Sequence, residues 1–274
     1  MKGILYIVAT PLGNLEDITL RALKVLKEVD VIAAEDTRHS LKLLNHYEIS
    51  KPLISYWGGK EKTKAEEVLS RLKSGQSVAL ISDAGTPGIS DPGMVLVMKA
   101  IENGVSIVPV PGPTACITAL SISGFSTDEF LFMGFLPPKQ SQRMKVLKEL
   151  SLEKRTLVLY EAPHRILQSI ADMVEIFGKR RAVLVKEMTK LFEEIIRGDL
   201  LEIQEYLEQS KITGEYVVVL EGRTGNGRLN IEDALEEIRS LMKKGLSRKE
   251  AVKRIGEEYR ISKKELYDKS LSES

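Results

Sequence analysis

Through the first half of the chain, short solid apolar runs alternate with longer stretches whose apolar residues fall at helical spacing. Ile4 to Val8 reads as a strand. Asn14, with Asp17 three residues on, reads as a capping box that opens a helix, and its Ile18, Ala22, Val25 and Val29 are expected to face a sheet. Val31 to Ala34 is the next strand. Thr63 with Glu66 predicts a second capping box, for a helix through Leu72 stopped at Gly75. Val78 to Ile81 and Val105 to Val110 are two more strands. Solid apolar runs suit strands covered on both faces, and repeated strand–helix units imply a mostly parallel sheet.

The rhythm changes after Gly124. Phe130 to Phe135 reads as a strand broken by Pro137-Pro138, and a basic helix with Arg143, Lys145 and Lys148 follows. Thr156 to Tyr160 and Ala182 to Val185 are strands separated by a helix that ends at Phe177-Gly178. Glu194 to Gly198 pairs beside them, and Glu215 to Leu220 is the last strand. This reads as a second α/β domain with a mixed sheet. Thr224-Gly225-Asn226-Gly227 is a linker. Three short helices are expected beyond it, over 231–244, 247–256 and 262–269, with Ser247 and Glu250 as a capping box. The expected domains are therefore 1–116, 117–224 and a helix-turn-helix-like tail over 225–274.

Two loops stand out against this background. Ser82-Asp83-Ala84-Gly85-Thr86-Pro87-Gly88-Ile89-Ser90-Asp91-Pro92-Gly93 follows the Val78–Ile81 strand and is longer than a turn needs. Its glycines let backbone approach a ligand closely and its prolines stiffen it. Asp91 reads as the cap of the next helix, with Pro92 at its first position. One strand–helix unit later, Pro111-Gly112-Pro113-Thr114-Ala115 repeats the design, and the Thr114 hydroxyl can either cap its helix or face a ligand. Both loops leave the carboxyl ends of strands, where open α/β sheets bind ligands. Glu35-Asp36-Thr37-Arg38-His39 crowds ionisable residues at another strand end. Trp57 reads either as core, the favoured role, or as a base-stacking platform.

Composition narrows the class without naming a chemistry. The 274 residues are 43% hydrophobic, enough for a real core, and the net charge is +1, from 40 Lys+Arg against 39 Asp+Glu. That balance is not that of a dedicated nucleic-acid coat, although the tail gathers Lys243, Lys244, Arg248, Lys249, Lys253, Arg254, Lys263 and Lys264 among many glutamates. The lone cysteine, Cys116, excludes an internal disulfide and reads as a small buried hydrophobe. No Cys/His cluster suggests a metal site. No apolar stretch reaches the length of a membrane span, and a cytoplasmic protein is expected.

Taken together, several segments carry a family likeness: Val8 to Asn14 leading to Thr19 to Leu23, Glu35 to Arg38, Asp83 to Gly93, Pro111 to Ala115, Tyr160 to Arg165, and Lys186 to Lys190. The order of Asp-Ala-Gly-Thr-Pro-Gly, Pro-Gly-Pro-Thr and Tyr-Glu-x-x-His-Arg is specific. The chain resembles the tetrapyrrole-methylase superfamily, the class III S-adenosylmethionine-dependent methyltransferases, in its RNA-methylating branch. Ala9 and Pro11 stand where the superfamily often has glycine, and Tyr56-Trp57-Gly58-Gly59 lacks a histidine expected in close relatives.

The resemblance implies an α/β, two-domain class III methyltransferase with a small C-terminal helical module, a homodimer that binds S-adenosylmethionine. It implies methyl transfer to the 2′-hydroxyl of a cytidine in the decoding region of 16S rRNA, in the small ribosomal subunit. Carried over by position, the cofactor residues are Pro11, Gly13, Asp83, Ala84, Gly85, Thr86, Gly88, Pro111, Gly112, Thr114, Ala115, Tyr160 and Tyr216. A ribose hydroxyl needs a general base. The strand-end candidates are Glu35, Asp36, Glu161, His164 and Glu187, of which Glu161, His164 and Asp36 are the first choices. Arg38, Arg165, Lys186 and Lys190 are the candidates for RNA phosphates. Two other readings stand beside this one: a methyltransferase of a small molecule such as a tetrapyrrole, and a non-enzymatic RNA-binding assembly factor.

Overall fold

The computed structural model describes residues 2–223, 231–243, 245–258 and 261–272. The expected linker at Thr224–Gly227 and the basic residue Lys244 lie outside the described residues. The chain forms two compact units, 1–221 and 222–274.

The larger unit contains two five-stranded sheets. The first is built from β1 (Ile4–Val8), β2 (Val31–Ala34), β3 (Leu53–Ser55), β4 (Val78–Ile81) and β5 (Ser106–Val110), in the order β3-β2-β4-β1-β5. All its pairings are parallel, and β2 and β4 are buried at every position. Their unbroken apolar composition follows from that double coverage. One face packs Leu5, Val68, Leu72, Leu80 and Leu96, and the other packs Val8, Leu26, Ile32, Leu44 and Ile81.

The helices of this half start where local hydrogen bonding allows, which differs from expectation in several places. Asn14 caps only a 3-10 turn, Leu15–Asp17, and α1 (Leu20–Glu28) takes its cap from Thr19, whose hydroxyl accepts the Ala22 N–H at 3.1 Å. Asp36 caps α2 (Thr37–His46), so Arg38 and His39 lie in a helix rather than in a strand-end loop. Thr63 and Glu66 lie inside α3 (Glu61–Lys73), and Glu66 pairs with Lys99. The expected Asp91 cap is absent. α4 (Met94–Glu102) is capped at Gly93, and Glu61 at the head of α3 accepts the Gly93 N–H at 2.9 Å. Trp57 is 45% exposed, and its neighbour Tyr56 holds the core position, fully buried.

The second sheet contains β6 (Phe130–Phe135), β7 (Thr156–Glu161), β8 (Arg181–Lys186), β9 (Glu194–Asp199) and β10 (Tyr216–Leu220), in the order β6-β7-β10-β8-β9. Only β6 and β7 pair in parallel, so the sheet is mixed. α5 (Ala115–Ser121) packs Cys116, Ala119 and Leu120 on one face of this sheet. The other face is covered by α6 (Gln140–Glu149), α7 (Ile166–Phe177) and α8 (Leu200–Gln209). In the smaller unit, α9 (Ile231–Lys243), α10 (Arg248–Glu258) and α11 (Lys263–Ser272) close on Leu235, Ile238, Val252, Ile255 and Leu266. Ser247 and Glu250 form the expected reciprocal cap.

The basic face expected of α6 is not all solvent-facing. Arg143 is 2% exposed and its Nε donates to Asp172 Oδ2 on α7 at 2.6 Å. Its Nη1 donates to the carbonyls of Pro137 and Pro138, and Gln140 and Gln168 donate to Asp172 Oδ1. Burial alone would raise the Asp172 carboxyl; the bonds from Gln140, Arg143 and Gln168 outweigh it and hold the group below its ordinary range. The pair's contribution is therefore present above the ordinary carboxylate range and is lost as pH falls through the lowered value. Asp172→Ala leaves a buried guanidinium without its counter-charge and is expected to cost about 3–5 kcal/mol of stability, read from urea unfolding.

Candidate active site

The site is assembled from backbone first. The loops that follow β1 and β4 are joined by an antiparallel bridge: Thr10 N–H donates to Gly85 O at 2.9 Å, and Gly85 N–H donates to Thr10 O at 3.0 Å. The Thr10 hydroxyl also donates to Ser82 O at 3.0 Å. Gly85 has φ +80°, a conformation that favours glycine. The loop after β5 is tied to the same structure by the Thr86 hydroxyl, which donates to Pro113 O at 3.1 Å. From there α5 reaches the second sheet, where Cys116 N–H donates to Tyr160 Oη at 2.9 Å.

These loops and the ends of β7, β8 and β10 enclose a cavity of about 400 Å3. Its apolar wall includes Leu12, Ile89, Phe135, Val185, Met188 and Val217. Its polar wall includes Thr86, Thr114 and Tyr160. Thr114 makes no capping bond to α5, which leaves its hydroxyl to the cavity. Five carboxylates line the space, from Glu35, Asp83, Asp91, Glu161 and Glu215; among the described lining residues there is no Lys, Arg or His.

The carboxylates are not equivalent. Glu161 is 2% exposed; its Oε1 accepts from Arg165 Nε (2.8 Å), Arg165 Nη2 (2.5 Å) and Ala162 N–H (2.9 Å), and its Oε2 accepts from the Ser169 hydroxyl at 2.5 Å. Glu215 Oε2 accepts from Lys190 Nζ at 3.1 Å, and Asp83 Oδ1 accepts the Asp36 N–H at 3.0 Å. Burial and then the Asp83 charge raise the Glu35 carboxyl. Asp91 is pushed up to about 7, first by burial, then by the charge of Glu35, with Asp83 and Glu215 adding to it and the Ser82 hydroxyl acting in the opposite sense. Burial pushes the Tyr160 hydroxyl to about 12 and the Cys116 thiol to about 11, so neither ionises near neutrality.

Of the residues singled out from the sequence, the cavity wall brings together Asp83, Ala84, Gly85, Thr86, Thr114, Ala115, Tyr160, Glu161 and Tyr216. Pro11, Gly13, Gly88, Pro111 and Gly112 lie outside it. Two of these glycines allow close packing instead: a Cβ at Gly13 would stand 2.2 Å from Lys190 Cγ, and one at Gly112 would stand 3.0 Å from Ala9 Cβ. His164 is exposed on the turn before α7 and is not part of the wall. Asp36 is occupied in capping α2 and pairing with Arg38.

The candidates for RNA contacts divide sharply. Arg165 is committed to Glu161 and to Leu136 O. Lys186 is 8% exposed and donates to Glu194 at 2.8 Å. Lys190 bridges Glu187 and Glu215. Only Arg38 of the four has a largely exposed side chain, at 90%. The wall also includes residues to which sequence reasoning gave no binding role. Among them are Ile89 and Ser90 in the long loop, Phe135 at the end of β6, and Met188. Ile89 and Ser90 sat inside the long loop and Met188 inside the Lys186–Lys190 segment; Phe135 had no local signal.

A family pattern described as "Tetrapyrrole (Corrin/Porphyrin) Methylases" matches residues 4–204. A "Ribosomal RNA small subunit methyltransferase I" from Synechocystis sp. is 46% identical over 98% of this chain and 98% of its own length. Its counterpart from Thermotoga maritima is 48% identical over 81% of this chain and 99% of its own length. Among solved structures, uroporphyrin-III C-methyl transferase from Thermus thermophilus, complexed with S-adenosyl homocysteine, superposes with a TM-score of 0.58 at 20% identity, over 80% of this chain and 97% of that one. The strand order, the bridged loops and these likenesses agree: the chain belongs to the tetrapyrrole (corrin/porphyrin) methylase family.

Proposed function

We propose that this chain transfers a methyl group from S-adenosylmethionine to the 2′-hydroxyl of a cytidine in the decoding region of 16S rRNA, within the small ribosomal subunit. The observation that carries the first half of this reading is the cavity's charge. S-adenosylmethionine has a sulfonium and an ammonium against a single carboxylate, and three of the five wall carboxylates, Glu35, Asp83 and Asp91, have no cationic partner among the described residues, which complements a net positive ligand. The volume falls in the range of about 300–1,000 Å3 typical of small-molecule sites. Phe135, Ile89, Leu12 and Met188 offer an apolar face for a purine. The acceptor rests on the relatives named for small-subunit rRNA methylation, whose similarity runs the length of the catalytic unit.

When bound, S-adenosylmethionine supplies an electrophilic methyl group. The chain's own contribution is placement and proton handling. The bridged loops hold the wall rigid, so the reactants meet at fixed geometry. The Thr86 hydroxyl is spent on Pro113 O, whereas Thr114 lines the cavity without making a capping bond, so its hydroxyl is available to a ligand. Because the wall is acidic, RNA phosphates are kept at the rim. Exposed residues near wall residues in the chain are the candidates to meet the RNA: Arg38, 90% exposed, three residues beyond Glu35, and Leu191 and Phe192, 90% and 72% exposed, on the loop that leaves Met188. An exposed aromatic suits an unstacked base. Leu136 O and Glu161 accept from the Arg165 guanidinium and keep it out of this role, and with Ser169 also donating to it Glu161 is a strut that fixes the β7–α7 turn.

The working enzyme is a homodimer in this reading. α4 presents Met94, Met98 and Ile101 on one stripe, 64%, 51% and 64% exposed, and it packs beside β5, the open edge of the first sheet. A second copy of the chain would cover both. Charge in the stripe, as Met98→Glu, is expected to yield monomers by sedimentation while the fold is retained.

The deciding experiment is methyl transfer from labelled S-adenosylmethionine to small subunits that lack their own methylations, with the product mapped. A 2′-O-methylcytidine in the decoding region is expected. Transfer to a tetrapyrrole but not to subunits would move the small-molecule reading to first place, and absence of S-adenosylmethionine binding would favour an assembly factor. Phe192→Ala is expected to weaken subunit binding by about 1–3 kcal/mol, the range for loss of one aromatic–base stack, with S-adenosylmethionine affinity unchanged.

A further inference from the structure

We infer that Asp91 is the general base that removes the 2′-hydroxyl proton of the acceptor ribose. The inference rests on the methyl-transfer reading above and goes beyond it by assigning the proton.

The assignment begins with what the other acids are doing. Glu161 is held by a guanidinium, a hydroxyl and a backbone N–H, all within 2.9 Å. Both of its oxygens are already taken by protein donors. Glu187 and Glu215 share the Lys190 ammonium. Asp83 accepts the Asp36 N–H, and Asp36 is spent on the first turn of α2. Glu35 lies next to Asp36 at the end of β2, and burial and then the Asp83 charge raise its carboxyl. Besides Asp83, Asp91 and Glu35 are the wall carboxylates with no cation beside them among the described residues, and of these two Asp91 is the one carried on the long glycine- and proline-rich loop.

Backbone geometry shows how it reaches that position. Asp-Pro before a helix ordinarily caps it, and here the cap is supplied from elsewhere: Glu61 Oε1 accepts the N–H groups of Gly93 (2.9 Å) and Val95 (3.4 Å). Ser90, immediately before Asp91, sits at φ +67°, a left-handed conformation that side chains rarely adopt. Such strain persists where surrounding structure imposes it and is concentrated at functional sites. The Ser90 side chain is wedged against Gly134 of β6, where a Cβ would lie 2.8 Å from its Oγ. The loop is thus bent so that Asp91 lines the cavity rather than the helix end.

The groups facing Asp91 are Glu35 at the end of β2, Asp83 and Ser82 of its own loop, Glu215 ahead of β10 and Tyr160 on β7. Partial burial first, and then the negative neighbours led by Glu35, push its carboxyl up to about 7, the range in which a base is most effective. In the step, the ribose oxygen forms a bond to the methyl carbon as the carbon–sulfur bond breaks, and that bond's electron pair stays on sulfur. The hydroxyl proton passes to Asp91 Oδ and then to solvent after product leaves. A cation in the cavity favours the ionised carboxylate, so Asp91 releases its proton when the cavity is filled and is ready to accept another.

The test has a binding arm and a rate arm. Calorimetry of S-adenosylmethionine binding in buffers of different ionisation enthalpy is expected to show proton release by the wild type near pH 7 and affinity that rises with pH through about 7; Asp91→Asn is expected to lose both effects. With small subunits as acceptor, Asp91→Asn is expected to lower kcat by about 100- to 10,000-fold while subunit affinity changes less than tenfold. Asp91→Glu, which keeps a carboxylate, should recover part of the rate. If Asp91→Asn does not fold, the wild-type kcat/KM profile for S-adenosylmethionine, which reports the free enzyme, decides instead: an acidic limb controlled by one ionisation is expected, and a flat profile from about pH 5.5 to 8 overturns the assignment. An Asp91→Asn enzyme within threefold of wild type overturns it as well. A wild type that leaves subunits unmethylated refutes the acceptor reading instead, and the two failures are told apart by that control.

Discussion

Two backbone hydrogen bonds between Thr10 and Gly85 hold the loops after β1 and β4 at one spacing, and the cavity inherits its shape from them. Neither loop has regular structure of its own, and each would be free to move if left alone. The bridge makes them a single piece. The Thr86–Pro113 bond adds the third loop, and the Cys116–Tyr160 bond carries the connection to the second sheet. Function at this place then depends on rigid main chain. This explains why the segment between Ser82 and Gly93 is rich in glycine and proline: few side chains are needed, and most of those present face the cavity.

Crowding five carboxylates in a partly enclosed space is unfavourable, and the fold limits the penalty by treating them differently. Glu161 is neutralised by Arg165 and serves the β7–α7 turn. Glu215 shares Lys190 with Glu187, and the absence of a side chain at Gly13 makes room for the lysine stem. Asp83 is satisfied by backbone. What remains uncompensated is concentrated at Glu35 and Asp91, whose carboxyls are both raised. Residual negative potential at one end of the cavity is a feature that a cationic ligand relieves, so stability of the empty site and affinity for the filled one are opposed.

The elements were legible in the sequence wherever burial was two-sided or a turn residue was decisive. The solid runs of β2 and β4 and the stop at Gly178 all follow from local composition. Caps were less legible, because a capping side chain is interchangeable with any acceptor that reaches the same N–H groups. Thr19 displaced Asn14 as the cap of α1, and Glu61 displaced Asp91 at α4. The Asp199–Glu202 capping box that opens α8 carried a readable signal, and that helix was absent from the sequence-based expectation. The exposed Trp57 shows a similar limit: only one of two adjacent aromatics can enter the core from an extended segment, and hydrophobicity does not say which.

The sequence by itself determined the strand succession apart from the short edge strand β3, the two long loops at strand ends, the family likeness and part of the cavity wall. Those depend on local pattern and on motif order, which are properties of the chain. Tertiary structure decided which charges are free. Glu161 and Asp91 are both acids at the edge of a strand or loop, and nothing local distinguishes them. One meets Arg165 and Ser169; the other meets Glu35, Asp83 and Glu215. The chemistry available to a carboxylate is set by the sign and distance of its neighbours, and those neighbours are brought together only by the fold.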